Sequence, residues 1–596
     1  VKKKAFVLAA AVLMMSAAAA PACFTAAVGK GISPTGFVII GHNEDDGGRV
    51  TVRHGYVPAA SHSEGETLPA EKGCAAIPQV PHTYGFYWSE AKSAEGGLTA
   101  ADAMYNDQGV VVVSNSCARS REDTSDPSRL TEGGIGYNLR RIIAERAASA
   151  REGVKIAAEM IEHYGYAPSG RTYTIADRNE AWLLQVVSGR HYAARRVRDD
   201  EIALMPNHYT IHEISPDDPD IIASPDLVSY AQKRGWYNPA EGPFDFAEAY
   251  QAEKSYGRSY NILRQSAAAE MILGRPCGKL DFSVKPESPV SVDLIKAILR
   301  THYEGTLNDA PWLRAQFPGA APHDTQVRRV CTGTTIESTV WQMGSRPETT
   351  TVWTAFGRPC ELPYIPLHPL AGIPDGLAPT DGAAALKDHL KEEPAAAAWR
   401  EDQWQKFRDY ESLLELVYSE NYEFSSRRLW SVEHFMARRN DAAVAAAEAA
   451  FDGGRKDEAL KILKDQDEHE LNRAADASAQ WYDALNPVSV SVQDDAARKV
   501  FEGEPLSVTF QMDSGRTPSE ETLLFGLGFS NARTRWASAE PGTLKDLGEG
   551  RWSVQFNAEK LFESLGSGEG RFDCWLGGRD ETGHSFGGRC FFDTAK

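Results

Sequence analysis

Several signatures are missing from this 596-residue chain, and each absence removes a class of function. Neither a G-x-G-x-x-G turn nor a P-loop occurs, so nothing points to a nucleotide-binding fold. No C-x-x-C pair and no His/Cys ligand spacing stands out, which leaves a zinc site without support; no metal and no other cofactor is expected. Positive charge is scarce, with 63 Lys+Arg against 83 Asp+Glu and a formal charge of −20, which disfavours nucleic acid and acidic membranes as partners. The acidic residues are dispersed rather than gathered in a tail, as on a solvated surface. No low-complexity tract argues for disorder. The one long apolar run, Ala5–Ala20, has 16 residues where a membrane span needs roughly 20, so no stable membrane insertion is expected.

What is present is organised around Ala20-Pro21-Ala22-Cys23-Phe24-Thr25. Residues 1–22 have the three parts of a secretory signal: Lys2, Lys3 and Lys4, the small-residue apolar core, and Ala20-x-Ala22 as a cleavage pattern. The chain is therefore expected to be exported, whether to a periplasm, a cell surface or the medium. Cleavage after Ala22 would make Cys23 the N-terminus and give one residue both a thiol and a free α-amine, a nucleophile with a base beside it. A lipid-modified Cys23 is the rival, although Ala20 stands where bacterial lipoproteins usually carry Leu. If Cys23 is a free nucleophile, seven of the eight cysteines remain, and Cys331–Cys360 and Cys574–Cys590 are the pairs expected to bond in an oxidising compartment.

The length calls for two or three domains. Short strands are predicted at Phe24–Val28 and Phe37–Gly41, with a polar turn at Asn43–Gly48 and a further strand at Val50–Val57. A hairpin of this kind would hold Cys23 at the edge of a sheet. Gly109–Asn115 is a continuous β-branched run, the pattern of a buried central strand. Helices follow at 135–163, strands near 172–176, 181–187 and 201–205, helices at 245–273 and 291–302, then strands at 337–343 and 350–356. Strands, helices and strands again indicate a layered α+β body. Residues 385–486 read as a helical extension, and Asn486-Pro487 marks a boundary. From 487 to 596 alternating strands suggest a small all-β sandwich as an accessory module. Gly583-His-Ser585-Phe-Gly587 fits the serine-hydrolase elbow, but that elbow needs a following helix and downstream partners, so it is read as a chance match.

Asp45, in Gly41-His-Asn-Glu-Asp45, lies 22 positions after Cys23. Together with Cys23-Phe-Thr-Ala-Ala-Val-Gly-Lys-Gly, this stretch resembles the opening of the PepD-type cysteine dipeptidases, relatives of secernins and more distantly of bile-salt hydrolases and penicillin V acylases. Asn106-Asp-Gln-Gly-Val, Ala203-Leu-Met-Pro-Asn207, Val330-Cys-Thr-Gly-Thr-Thr and Val352-Trp-Thr-Ala-Phe-Gly-Arg-Pro-Cys360 extend the resemblance to about residue 480. It implies an N-terminal-nucleophile αββα sandwich over residues 23–384 and hydrolysis through a thioester acyl-enzyme, without metal.

Residue by residue, the resemblance makes Cys23 the nucleophile and Asp45 the carboxylate that holds its amine. It makes Asn207 the donor to the scissile carbonyl and Arg264 the family's late arginine. His42 stands where relatives commonly carry arginine, so the group there is only partly charged near neutrality. Asn115, or a neighbouring backbone N–H, is a second oxyanion candidate. The expected activity is therefore an exported cysteine dipeptidase acting on dipeptides or small peptides. An acylase on N-acyl amides is the enzymatic alternative, and a lipid-anchored surface-binding protein the alternative of another class. A homo-oligomeric state is left open.

Overall fold

The computed structural model describes residues 23–593 apart from 47–49, 70, 94–102, 117–118, 122–126, 216, 279, 306–321, 324–327, 392–401, 494, 528–535, 558, 560 and 562–570. Residues 1–22, expected to be a signal segment, and Cys117 lie outside the described residues. Two large sheets dominate. The smaller orders Ser283–Val284, Ile202–Met205, Phe24–Val28, Ile39–Asp45, Thr335–Gln342, Thr351–Ala355 and Ile365–Leu367, every neighbour antiparallel. The larger has nine strands and is antiparallel except where Thr380–Asp381 runs parallel to Val50–Val57 at one edge.

The sequence explains why the first strand is central rather than marginal. FTAAV is apolar apart from Thr25, and all five residues are buried. A strand covered on both faces and paired on both edges is interior, so Cys23 leads into the middle of the sheet and not its edge. Asn43, Glu44 and Asp45, read as a turn, are the end of the strand Ile39–Asp45; their polar side chains are buried because each has work inside the protein.

The pleat then divides the residues of this strand between two faces. His42 pairs across from Thr25, and both face the nine-stranded sheet, where Thr25 Oγ1 donates to Asn115 Oδ1 at 2.6 Å. Gly41, Asn43 and Asp45 face the other way, toward helices and the turn before Thr335. On the inner faces, Ala27 and Ile40 share one core with Val111, Val113 and Leu183. The outer face of the large sheet is covered by Asn138–Arg146 and Ala150–Tyr164, and that of the small sheet by Ser259–Leu273 and Val292–Leu299. The helix expected over 245–273 is two, Phe246–Tyr250 and Ser259–Leu273, separated by a segment in which Gly257 takes φ +68°.

Beyond the sheets, Gln403–Leu416, Tyr418–Asp452 and Lys456–Ala484 pack on one another. The last ends at Asn486, in the left-handed region at φ 51°, just before Pro487, a helix stop written in sequence. Two four-stranded antiparallel sheets follow, enclosing Val508, Phe510, Phe525, Phe556 and Leu576. A helix, Ala496–Glu502, is inserted after their first strand. They dock on Gln403–Leu416, where Gly577 and Gly587 leave room for Leu416 and Arg589 pairs with Asp409. Ser585 opens a strand, Ser585–Asp593, so no elbow forms there. Cys574 and Cys590 lie directly opposite each other, and the Sγ atoms of Cys331 and Cys360 are 3.6 Å apart; all four are free thiols in this structure.

Gly41 is where helix Val292–Leu299 touches the strand that carries His42, Glu44 and Asp45. A Cβ there would lie 2.3 Å from Ile295 Cγ2 and 3.2 Å from Leu299 Cδ1. Gly41→Val is expected to destabilise the fold by about 1–3 kcal/mol through overpacking, seen as a lowered Tm. A wild-type Tm would show that the helix can yield at this contact.

Candidate active site

Cys23 is 1% exposed, immediately before the strand Phe24–Val28. Its thiol donates to Glu44 Oε1 at 3.6 Å and lies 4.0 Å from the carbonyl oxygen of Asp45. Burial, with Glu44 and Asp45 nearby, pushes this thiol well above its ordinary range. Burial also raises Glu44 to about 7, against the pull of Arg140 and Arg171. Asp45 is likewise raised by burial to about 7, against a hydrogen bond from Thr335 and the charge of Arg264. The centre is buried, and each of its acids is held toward the protonated form.

Asp45 is held on one side only. Thr335 Oγ1 donates to its Oδ1 at 2.6 Å, while Oδ2 is buried and has no hydrogen-bond partner among the described residues. A buried carboxylate oxygen with no donor is unfavourable, by on the order of 1–3 kcal/mol, unless a further group meets it.

A relay leads from the thiol into the large sheet. Glu44 Oε2 is 3.2 Å from His42 Nε2, and His42 Nδ1 is 2.8 Å from Thr25 Oγ1. Because the Thr25 hydroxyl gives its one hydrogen to Asn115 Oδ1, it accepts from His42, which fixes the proton on Nδ1. Glu44 and His42 Nε2 therefore share a proton one step from the sulfur. Asn115, expected as an oxyanion donor, is engaged on both sides: Oδ1 accepts from Thr25, and Nδ2 donates to Met205 O at 3.1 Å.

Asn207 and Arg264 do meet at Cys23. Arg264, on the helix Ser259–Leu273 and fully buried, donates to Cys23 O at 3.3 Å and to Asn207 Oδ1 at 2.6 Å. That second bond orients the Asn207 amide so that its NH₂ turns toward the strand Val111–Ser116, where it donates to Ser116 O at 2.5 Å. Asn261 Oδ1 accepts from the same guanidinium, and Asn261 Nδ2 donates to Asn207 O at 3.1 Å.

Asn207 and Ser116 open onto a cleft of about 590 Å³. Among the described residues, Arg119, Arg121, Arg171, Lys254, Arg258 and Arg328 line it, with Glu253 as the one acidic residue. None of the six cations forms an ion pair with a described residue. In a chain of charge −20, six cations around one cleft give it a local positive field among the described residues.

Sequence reasoning missed Glu44, Thr25, Thr335, Asn261, Arg140 and Arg171. Glu44 could have been found, since it lies inside the Gly41–Asp45 stretch and shares the face of His42. The arginines had no local signal. Arg140 donates to Ser114 Oγ from a helix, and Arg171 donates to the same atom at 2.8 Å from a neighbouring strand.

Folded Glu44 keeps its proton to about pH 7, whereas an unfolded glutamate releases it near 4.5. Between those values the native state binds more protons, so stability falls as pH rises, by on the order of 3 kcal/mol for this one group. Glu44→Gln, which keeps an N–H for His42 Nε2, should match the wild type near pH 4.5 and exceed it at pH 8 in urea unfolding. An unchanged difference at the two pH values would mean that Glu44 is already ionised in the fold.

The sequence profile described as Peptidase family C69 matches residues 22–387, from the position before Cys23 to the helix after the last strand of the large sheet. A "Probable dipeptidase" of Salmonella dublin is 29% identical over 378 residues, 61% of this chain and 84% of that protein. Another, of Latilactobacillus sakei, is 25% identical over 363 residues, 59% of this chain and 75% of that one. Among solved structures, a variant of the conjugated bile acid hydrolase from Clostridium perfringens aligns with 56% of this chain and 89% of its own at 10% identity and TM-score 0.26. The matched segment holds Cys23, Asp45, Asn207 and Arg264 in one buried centre, and the chain is a hydrolase that belongs to Peptidase family C69.

Proposed function

We propose that the chain is an exported dipeptidase of the N-terminal-nucleophile type, in which removal of residues 1–22 creates the catalytic amine of Cys23. The observation that carries this reading is Asp45 Oδ2, buried without a partner among the described residues, in the residue whose backbone carbonyl oxygen lies 4.0 Å from the Cys23 thiol. An ammonium at Cys23 would supply the missing donor, ionise Asp45 and lower the thiol pKa by proximity of opposite charge. The αββα arrangement implied for such enzymes is consistent with two facing sheets between helical layers. The names of the curated relatives support dipeptides as substrates.

In this mechanism the thiol proton passes to the amine, and the thiolate attacks the scissile carbonyl carbon. The oxyanion is met by the Asn207 amide, turned by Arg264, through the N–H that is not given to Ser116 O, with a backbone N–H near Asn115 as the second donor. The Cys23 ammonium protonates the leaving amine, the C–N bond breaks and a thioester remains. Water, deprotonated by the same amine, then releases the acid and regenerates the thiol. Arg264 acts through Asn207 and is a positioning residue. The basic cleft would take the free carboxylate of the dipeptide, which also suits an N-acyl amino acid. That acylase reading is separated by a panel of dipeptides against N-acyl amino acids. The C-terminal β unit is proposed as an accessory module.

Cys23→Ala should abolish hydrolysis with the fold intact, and Asn207→Ala should lower kcat by about 10²–10³-fold. A chain that retains Ala22 should be inactive although its thiol is present; full activity there would remove the amine from the mechanism. Arg328→Ala should raise KM for dipeptides with a free carboxylate by about tenfold and leave C-terminally amidated ones unchanged. Equal effects on both would argue against carboxylate anchoring in this cleft.

A further inference from the structure

The side chains of His302, His323, Cys331 and Cys360 converge in a second cluster, outside the set used for hydrolysis. Their donor atoms all lie within 4.8 Å of one another. His302 Nε2 is 3.0 Å from His323 Nε2, the two sulfurs are 3.6 Å apart, and His323 Nε2 lies 3.3 Å from Cys360 Sγ and 3.7 Å from Cys331 Sγ. A tetrahedral zinc ion with Zn–S near 2.3 Å and Zn–N near 2.05 Å sets edges of about 3.3 Å for N···N, 3.6 Å for N···S and 3.8 Å for S···S. The observed separations match these edges to within about 0.3 Å.

The outer shell fits as well. His302 Nδ1 is 2.7 Å from Glu304 Oε1, and His323 Nδ1 is 2.9 Å from Glu415 Oε2. A carboxylate on Nδ1 places the ring proton there and leaves Nε2 as a lone pair, the arrangement that orients a metal-binding imidazole. Two such rings aim their Nε2 atoms at each other and at two thiols, with His302, Cys331 and Cys360 buried. A disulfide between Cys331 and Cys360 would use neither imidazole.

We propose that these four side chains form a structural site for one zinc ion. Four protein ligands leave no open position for substrate or water, so the ion would brace the fold and not catalyse. What it braces lies against the active site. Cys331 begins the turn Cys331-Thr-Gly-Thr-Thr335, whose Thr335 Oγ1 holds Asp45 Oδ1 and whose Thr334 O accepts from Asp46 N at 2.9 Å. Next to it, Val330 O and Leu299 O both accept from Asn43 Nδ2. His302 follows the helix Val292–Leu299, Cys360 follows the strand Thr351–Ala355, and Glu415 brings in the helix Gln403–Leu416. A zinc ion would tie these segments to the strand that carries Asp45.

The test is metal analysis of the full, processed chain purified without chelators. About one zinc per chain is expected, released by a thiol-blocking reagent and replaceable by Co²⁺ with the visible bands of a tetrahedral thiolate site. Cys331→Ser and His302→Ala should lose the metal, Cys574→Ser should keep it, and Cys23→Ala should keep it while losing hydrolysis. Should the ligand variants fail to fold, the wild type alone decides, since chelation should lower its Tm and zinc should restore it. Intact mass showing a Cys331–Cys360 disulfide, or a reduced chain that takes up neither Zn²⁺ nor Co²⁺, would overturn the proposal.

Discussion

A carboxylate buried away from water must be matched by hydrogen bonds or opposite charge, and Asp45, like Glu361 and Asp573 elsewhere in the fold, meets that demand on one oxygen only among the described residues. Thr335 satisfies one oxygen, and Arg264 adds charge without a bond to the other. The rest of the centre is arranged around the same shortage. Glu44 relies on His42 and on the fields of Arg140 and Arg171, and Arg264 is itself lowered by burial although it touches Cys23 and Asn207. Dry surroundings make each of these interactions strong and each missing one expensive. A single added ammonium would therefore change the protonation of several groups at once.

The strand Ile39–Asp45 makes that arrangement possible because its pleat separates two tasks. His42 and Glu44 face inward to the thiol and to Asn115, while Gly41, Asn43 and Asp45 face the helices and the turn before Thr335. Gly41 lets helix Val292–Leu299 come close enough for Leu299 O to accept from Asn43. Ser338 and Tyr364 extend the same polar seam from the next strands. One residue of slip would exchange the faces and separate Asp45 from Thr335. The register is held from both sides, by Phe24–Val28 and by Thr335–Gln342, so the strand has little freedom to slip.

Much of this was legible in the sequence where the signal was local. FTAAV and GVVVVSN announced strands by composition, and Asn486-Pro487 announced a helix end by turn chemistry. What failed had a common physical cause. The Phe24–Val28 strand was put at an edge because a single strand does not reveal how many neighbours it will have. Asn43–Asp45 read as a turn because polar residues are ordinarily solvated, whereas here a buried centre claims them. Arg264 lies 241 residues from the carbonyl it binds, and only the likeness to a family could suggest it. His302, His323, Cys331 and Cys360 carry no spacing signature because they come from different segments, brought together only by the fold.

The charge pattern closes the argument. A chain of −20 repels anions at long range, yet the cleft lined by Asn207 gathers Arg119, Arg121, Arg171, Lys254, Arg258 and Arg328. In the proposed mechanism such a field would favour the end that carries a carboxylate, and so a substrate short enough for that end to lie near the thiol. The residue at position 42 suits this division of labour. Beside the sulfur a permanent cation would compete with the ammonium for Asp45 and Glu44, whereas a histidine sharing its proton with Glu44 can give way to it. In the proposed mechanism the permanent positive charge then stays in the cleft, and the titratable charge stays at the nucleophile, where protons have to move.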